Sequence, residues 1–256
     1  MLSLKTVPNV NLTWIVLALL GFAVMFCTPG TAAEKFETDV IETNAGPVEI
    51  TFIGHGTLML EFNQKIIHID PVGREADYSK LPKANLILVT HEHGDHLDAD
   101  LIKQIKKPRG TVIVNQASAE KVDGASVMNN GDIKYVQSIR IEAVPAYNVV
   151  HKRDGGAPFH PKGTGNGYIL IFGTTRIYVA GDTENIPEMK ELKNIGVAFL
   201  PMNLPYTMTP EMTAAAAQVI KPKILYPYHY GDTDVSKLVA LLKDNQEIEV
   251  RIRDLE

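Results

Sequence analysis

The stretch His91-Glu92-His93-Gly94-Asp95-His96 ("HEHGDH", 91–96) follows "ANLILVT" (84–90) without a break. Three of the chain's eight histidines fall within it, with two acids between them. The apolar run before it reads as a strand buried on both faces. The histidines therefore stand at the C-terminal end of a buried strand, where α/β proteins gather ligands. In an extended or looping segment alternate side chains point the same way, so His91 and His93 can grip one cation together. Asp95 and His96 come a turn later, where a helix is expected to begin, and can face a second position a few ångströms away. Neutral imidazole and carboxylate are the ligands that zinc and similar ions take. Glu92 and Gly94 are expected to point elsewhere, with Gly94 giving the backbone freedom to turn.

Short β-branched or alternating runs precede this segment: "VEITFIG" (48–54), "TLMLEF" (57–62) and "KIIHID" (65–70). After it, "LDADLIKQIKKP" (97–108) predicts a helix with Leu97, Leu101, Ile102 and Ile105 on its apolar face and Pro108 as its end. Strands are expected at "TVIV" (111–114), once or twice over 133–144, in a hairpin over 168–180, and at "VAFL" (197–200). A helix then starts at Pro210 with Thr209 as its N-cap. "KILYPY" (223–228) is a strand, "VSKLVALLKDN" a helix, and "IEVRIR" closes the chain. Strands first, then strands alternating with helices, twice over, predict two packed sheets with helices outside: a layered α/β sandwich in one domain. Residues 151–167 form a long loop. Its "GTGNG" is not a phosphate cradle, because a strand and not a helix follows it.

Asp182 follows "TRIYVAG" and His229 follows "ILYPY", so each sits just past the end of an apolar strand. Either residue alone reads as structural, a turn aspartate or a satisfied core histidine. Together with 91–96 they form three strand ends carrying His, Asp and His that can converge on one edge of a sandwich.

HxHxDH after a strand, GDT after a later strand and a final histidine after another resemble the metallo-β-lactamase superfamily. "GHGTLMLE", "HIDP", "PAYN", "HPKG", "GDT" and "YPYHYGD" are similar to its UlaG-like and N-acyl-phosphatidylethanolamine phospholipase D-like branch, over roughly residues 48–232. The resemblance implies a four-layer αβ/βα sandwich. It implies one or two metal ions, zinc before manganese or iron. His91 and His93 would hold the first metal; Asp95, His96 and His229 the second; Asp182 would bridge both. Most members supply a third histidine to the first metal from the segment after the middle strand, where this chain has Asn148. His160 or His151, both in the long loop, would then substitute. His55 in "GHG" would lie near the metals, to contact substrate or to order the loop, and Asp70 would brace the metal loop through hydrogen bonds. His68, between two isoleucines of a strand, is expected to be structural. Tyr147, Tyr206, Tyr228 and Tyr230 flank the motif ends, as an aromatic rim or as a donor to an oxyanion.

The implied activity is metal-dependent hydrolysis of a small ester, lactone, amide or phosphodiester by a metal-bound hydroxide, with Asp95 orienting it and passing on its proton. The alternative is a catalytically silent metal-binding module, with Asn148 marking a degraded first site.

Composition bounds the rest. At 256 residues, 45% hydrophobic and 21% charged, this is an ordinary globular chain. A net charge of -5 without a basic tract argues against a nucleic-acid partner. Residues 1–33 differ from the remainder of the chain: Lys5 is their one charge, "WIVLALLGFAVMF" (14–26) is apolar, and "CTPGTAA" (27–33) has a small-residue exit. That pattern reads as a secretory signal, with an uncleaved anchor as the other reading. The expectation is a signal at 1–33, a hydrolase domain at 34–256, a periplasmic or secreted location and no stable membrane partner after cleavage. Cleavage after Ala33 would also remove Cys27, the single cysteine, and with it any thiolate ligand. Nothing in the sequence fixes an oligomeric state.

Overall fold

The computed structural model describes residues 36–255. The signal read at 1–33 lies outside the described residues. The first sheet takes its strands in chain order: β1 (Glu37–Ile41), β2 (Val48–Gly54), β3 (Thr57–Phe62), β4 (Lys65–Ile69), β5 (Ala84–Leu88), β6 (Lys106–Val114) and β7 (Ser126–Val127). The second does the same with β8 (Ile133–Val136), β9 (Ile139–Ala146), β10 (Gly165–Phe172), β11 (Thr175–Val179), β12 (Ile195–Pro201), β13 (Ile224–Tyr228) and β14 (Glu249–Val250). Helices α1 (Ala99–Ile105), α2 (Gln116–Ala119), α3 (Pro210–Ile220) and α4 (Val235–Leu242) lie in the crossovers of the parallel halves.

Both sheets obey one pairing rule. β1 to β4 pair antiparallel in sequence and β4 to β7 pair parallel. β8 to β11 again pair antiparallel and β11 to β14 parallel. No repeat is visible in the residues, yet the topology occurs twice. Tight turns set the antiparallel registers. Asn63 and Gln64 both adopt positive φ (47° and 61°), and so do Gln137 and Ser138 (53° and 66°), the twist that two-residue hairpins need.

The layers follow from alternation along β5 and β6. Leu86, Leu88 and Ile113 join the core between the sheets, with Phe52, Leu58, Phe199 and Tyr226. Ile87, Val89, Val112 and Val114 point the other way and pack with Leu97, Leu101, Ile102 and Ile105 around α1. On the second sheet, Ala214, Ala217 and Ile220 of α3 are buried against the core. This is the helix–sheet–sheet–helix sandwich that the resemblance implies. No helix among the described residues is long and apolar enough to cross a membrane.

Two local expectations are corrected. Residues 92–96 form a bend and turn, and α1 begins only at Ala99, where the Asp98 carboxylate accepts from the Leu101 N–H at 3.0 Å and so caps the helix. The helix ends at Ile105, and Pro108 lies inside β6. Proline forces an extended residue before it. It is tolerated there because β7 pairs only with Ile113 and Val114, which leaves the first half of β6 an edge. The long loop is also shorter than expected, since β10 already starts at Gly165.

Candidate metal centre

Every candidate residue sits just past the C-terminal end of a strand or in the loop that follows one. β2 leads to His55, β4 to Asp70, β5 to 91–96, β9 to Asn148, β11 to Asp182 and β13 to His229. The pairings make β2, β4 and β5 co-directional in one sheet and β9, β11 and β13 in the other. The ends therefore collect on one edge. Three of these residues, His55, Asp70 and His229, take the left-handed backbone conformation (φ 49°, 48° and 48°), which costs a non-glycine residue of order 1–3 kcal/mol.

Two clusters result. One comprises His91, His93 and His160; the other comprises Asp95, His96, Asp182 and His229. Asp182 faces both. Its Oδ2 is 3.2 Å from His160 Nε2 and 3.8 Å from His91 Nε2, and its Oδ1 is 3.3 Å from His96 Nε2 and 3.5 Å from His229 Nε2. Asp95 Oδ2 lies 3.5 Å from His229 Nε2 and 3.8 Å from His96 Nε2. Ligand atoms about 2.1 Å from a shared tetrahedral ion stand roughly 3.4 Å apart, so the spacing suits cations at both positions.

Hydrogen bonds behind the clusters select the ring nitrogen that faces inward. His96 Nδ1 donates to Asp70 Oδ2 at 2.8 Å, and Asp70 also accepts from the Thr90 N–H and hydroxyl, both at 2.7 Å. His91 Nδ1 donates to Thr90 Oγ1 at 3.0 Å. His160 Nδ1 donates to Asn148 Oδ1 at 2.7 Å. Each bond turns Nε2 toward the cluster, where that of His91 lies 3.1 Å from His93 Nδ1, the arrangement that orients metal-binding histidines. The fit to a metal rests on what is left over. His96 Nε2, Asp182 Oδ1 and both ring nitrogens of His229 are buried without a hydrogen-bond partner. Polar atoms in that state cost free energy unless a cation takes them. Gly56 makes room, since a Cβ there would meet His96 Cε1 at 2.9 Å and His229 Cδ2 at 3.3 Å.

Electrostatics agree. Burial pushes His91 well below the usual imidazole range, with the charge of His96 adding to it. Against the burial that opposes it, Asp182 and Asp70 hold His96 well above that range. Burial opposes ionisation of Asp182 too, but His229 and His96 keep it well below the carboxylate range. Carboxylates on both sides of His96 thus favour positive charge at this place, which a divalent cation would supply.

Asn148 turns its amide oxygen to His160. It is a clamp on His160. Its Oδ1 accepts from both the His160 N–H (2.8 Å) and Nδ1, while its own N–H donates to the His160 carbonyl at 2.9 Å. Its Nδ2 donates to Glu184 Oε1 at 3.0 Å. Buried Glu184 also accepts from the N–H groups of Val149, Val150 and His151 at 2.8, 2.6 and 2.7 Å. His151 turns away, with Nδ1 on the Thr207 carbonyl at 2.8 Å. Of the two loop histidines, His160 joins the cluster and His151 does not. Glu184 carried no sequence signal, because three of its donors are backbone N–H groups.

His55 Nε2 is 3.6 Å from Asp95 Oδ2, and its ring centroid is 3.9 Å from that of His229. Glu92 does point away, accepting from Asn115 Nδ2 at 3.1 Å. Gly94 lacks a positive φ and a Cβ there would meet nothing within 4 Å; it borders open space and is not a steric requirement of the turn. Among the four tyrosines only Tyr206 reaches the cavity at the centre. Tyr228 accepts from the Gly181 N–H, Tyr147 donates to Glu188, and Tyr230 donates to the Arg253 carbonyl. His68 is buried and bonds the Pro82 carbonyl at 3.0 Å.

Residues 49–229 match the family model described as a beta-lactamase superfamily domain. A UPF0173 metal-dependent hydrolase of Methanopyrus kandleri is 32% identical over 196 residues, which cover 72% of this chain and 84% of that protein. A UPF0173 metal-dependent hydrolase of Thermus thermophilus is 34% identical over 195 residues, 72% of this chain and 84% of that one. A crystal structure from Parabacteroides distasonis, assigned to the metal-dependent hydrolases, has a TM-score of 0.82 and 50% identity, covering 87% of this chain and 100% of its own. With the sandwich and the paired clusters already in hand, the conclusion is that the chain belongs to the metallo-β-lactamase superfamily, among its metal-dependent hydrolases.

Proposed function

We propose that the chain hydrolyses a small ester, lactone, amide or phosphodiester with a metal centre in which His91, His93 and His160 would hold one ion and Asp95, His96, Asp182 and His229 a second. The observation that carries this reading is the set of buried, unpartnered ligand atoms on His96, Asp182 and His229. Zinc suits the histidine-rich donor set best, with manganese or iron as the other candidates. A bound divalent cation acidifies water from a pKa of about 15.7 to about 7 and neutralises charge developing on the substrate oxygen. Asp95 does the proton work. Its side chain is 32% exposed where that of Asp182 is 3%, so it is the carboxylate of the centre that meets solvent and substrate. His55, with Nε2 3.6 Å from Asp95 Oδ2, would help orient it. The attacking oxygen would give its proton to Asp95 and bond to the acyl or phosphoryl centre, the bond from that centre to the leaving oxygen or nitrogen would break, and the proton would pass to that atom.

A silent module is the weaker reading, because its motive was a first site short of a ligand, and His160 stands in that site. Export is part of the proposal and rests on the composition of residues 1–33; amino-terminal sequencing of the mature protein tests it.

The test is chelation and reconstitution. Dialysis against a chelator should abolish turnover of bis-4-nitrophenyl phosphate or 4-nitrophenyl acetate, and zinc or manganese should restore it. Asp95→Ala should lose at least 100-fold in kcat, the lower end of what a positioned general base contributes. Metal-independent turnover, or a fully active Asp95→Ala protein, would defeat this reading.

A further inference from the structure

The clusters open into a cavity of about 630 Å³. Beyond the metal-facing residues, its lining includes Arg74, Arg153, Phe159, Asn203 and Tyr206. Asp95 and Asp182 are the acids in this lining, and both belong to the metal clusters. The cavity therefore adds two guanidinium groups to whatever charge the cations bring.

The two arginines are not equivalent. Arg74 is half committed, with Nε on Glu75 Oε1 at 2.7 Å. Arg153 has no carboxylate within ion-pair distance among the described residues; one amino group makes a long 3.5 Å bond to the Phe159 carbonyl. Its place is nonetheless built. Lys152 and Pro158 form a bridge, the Arg153 N–H donates to the Ala157 carbonyl at 2.8 Å, and the Gly156 N–H donates to the Arg153 carbonyl at 2.8 Å. This small hairpin sets the guanidinium 5.0 Å over the Phe159 ring. Phe159 in turn packs edge-on against Tyr206, with centroids 5.1 Å apart at 78°. The next residue is His160, clamped by Asn148. One loop thus carries a metal-site histidine at its inner end and an aromatic-backed arginine on the cavity lining.

A guanidinium resting on an aromatic face keeps most of its in-plane donors free. Those donors match a carboxylate or phosphate two at a time, at little cost in ordering because the fork is already placed. We infer that Arg153 is a specificity residue and that the substrate carries an oxyanion group, carboxylate or phosphate, away from the bond that is cut. Phe159 and Tyr206 supply an apolar wall for the part of the substrate beside that group, and Arg74 and Asn203 add donors. This inference deepens the hydrolase reading and rests on it for the identity of the cavity as a substrate site.

The test uses the full protein loaded with zinc and two esters of one shape: 4-nitrophenyl hydrogen glutarate, with a distal carboxylate, and 4-nitrophenyl 5-methylhexanoate, its neutral counterpart. In Arg153→Met the ratio of kcat/KM for the anionic ester to that for the neutral one should fall at least tenfold, through KM, and Arg153→Lys should recover part of it. A ratio unchanged in Arg153→Met would overturn the inference while leaving the hydrolase reading intact. Competition by glutarate and by glycerol 2-phosphate tells which oxyanion depends more on Arg153. If neither ester is turned over, calorimetric binding of glutaranilate decides. Affinity that weakens at least tenfold in Arg153→Met upholds the anion site whether or not these esters are substrates. No binding, or binding indifferent to Arg153, overturns the site.

Discussion

Asn148 and His160 exchange three hydrogen bonds, and one of them fixes which nitrogen of the imidazole turns to the metal position. Removing such a partner typically costs 10–100-fold in metal affinity. We therefore expect Asn148→Ala to weaken binding of a divalent cation at the His160 cluster by about 10–100-fold, as read by equilibrium dialysis; an unaltered affinity would contradict the clamp. His68 gives a prediction of another kind. Burial holds its pKa below the 6.5 of a free imidazole, against the bond to Pro82 that raises it. The unfolded chain then takes up the proton first, so stability is complete above about pH 6.5 and declines as the pH falls below it toward the folded value. Urea midpoints of the wild type should drop more between pH 7.5 and 5.5 than those of His68→Leu; parallel declines would assign the acid sensitivity elsewhere. At this scale the sequence was most legible where candidate ligands are contiguous. His91, His93, Asp95 and His96 declare themselves within one strand end. His160 against His151 could not be decided, because both lie in a loop whose path is set by Glu184 and Asn148, and that path has no periodicity to read.

Strand ends and turns decide where those residues meet. The buried parallel strands β5, β12 and β13 were plain in the sequence, since burial on both faces demands an unbroken apolar run. Edges were not. β1 reads "ETDVI" with one buried position of five, and β7 is two half-buried residues, so neither has a hydrophobic signature. β6 starts earlier than its apolar segment because its first half is an exposed edge. β1 holds its place by charge instead. Asp39 accepts from Tyr226 of β13 and from Arg251 and Arg253, with Arg253 Nη2 at 2.7 Å from Oδ1, and so ties the first sheet to the second. Charge-assisted bonds contribute ~1.5–3 kcal/mol each when well formed, and these groups are partly exposed. Asp39→Asn should lower the unfolding free energy by about 2 kcal/mol without altering metal content. A change within error in a urea titration would remove Asp39 from the fold determinants.

The described residues are one topology used twice, with the candidate ligands on one edge. Asp70 follows β4 and Asp182 follows β11, the strands at which each sheet changes from antiparallel to parallel pairing. The two aspartates have parted in role: Asp70 bonds the far side of His96, and Asp182 faces both clusters. The doubling could be read as an order of elements but not as a residue repeat, because a topology needs only a pattern of burial. Asp182 is the carboxylate that lies against histidines of both clusters. The most direct test is elemental analysis of the purified wild type beside Asp182→Ala. We expect one to two equivalents of a transition metal per wild-type chain, and near-complete loss of metal in an Asp182→Ala protein that still folds by circular dichroism. A wild type free of metal yet active, or an Asp182→Ala protein with wild-type metal content, would contradict a centre built around that carboxylate.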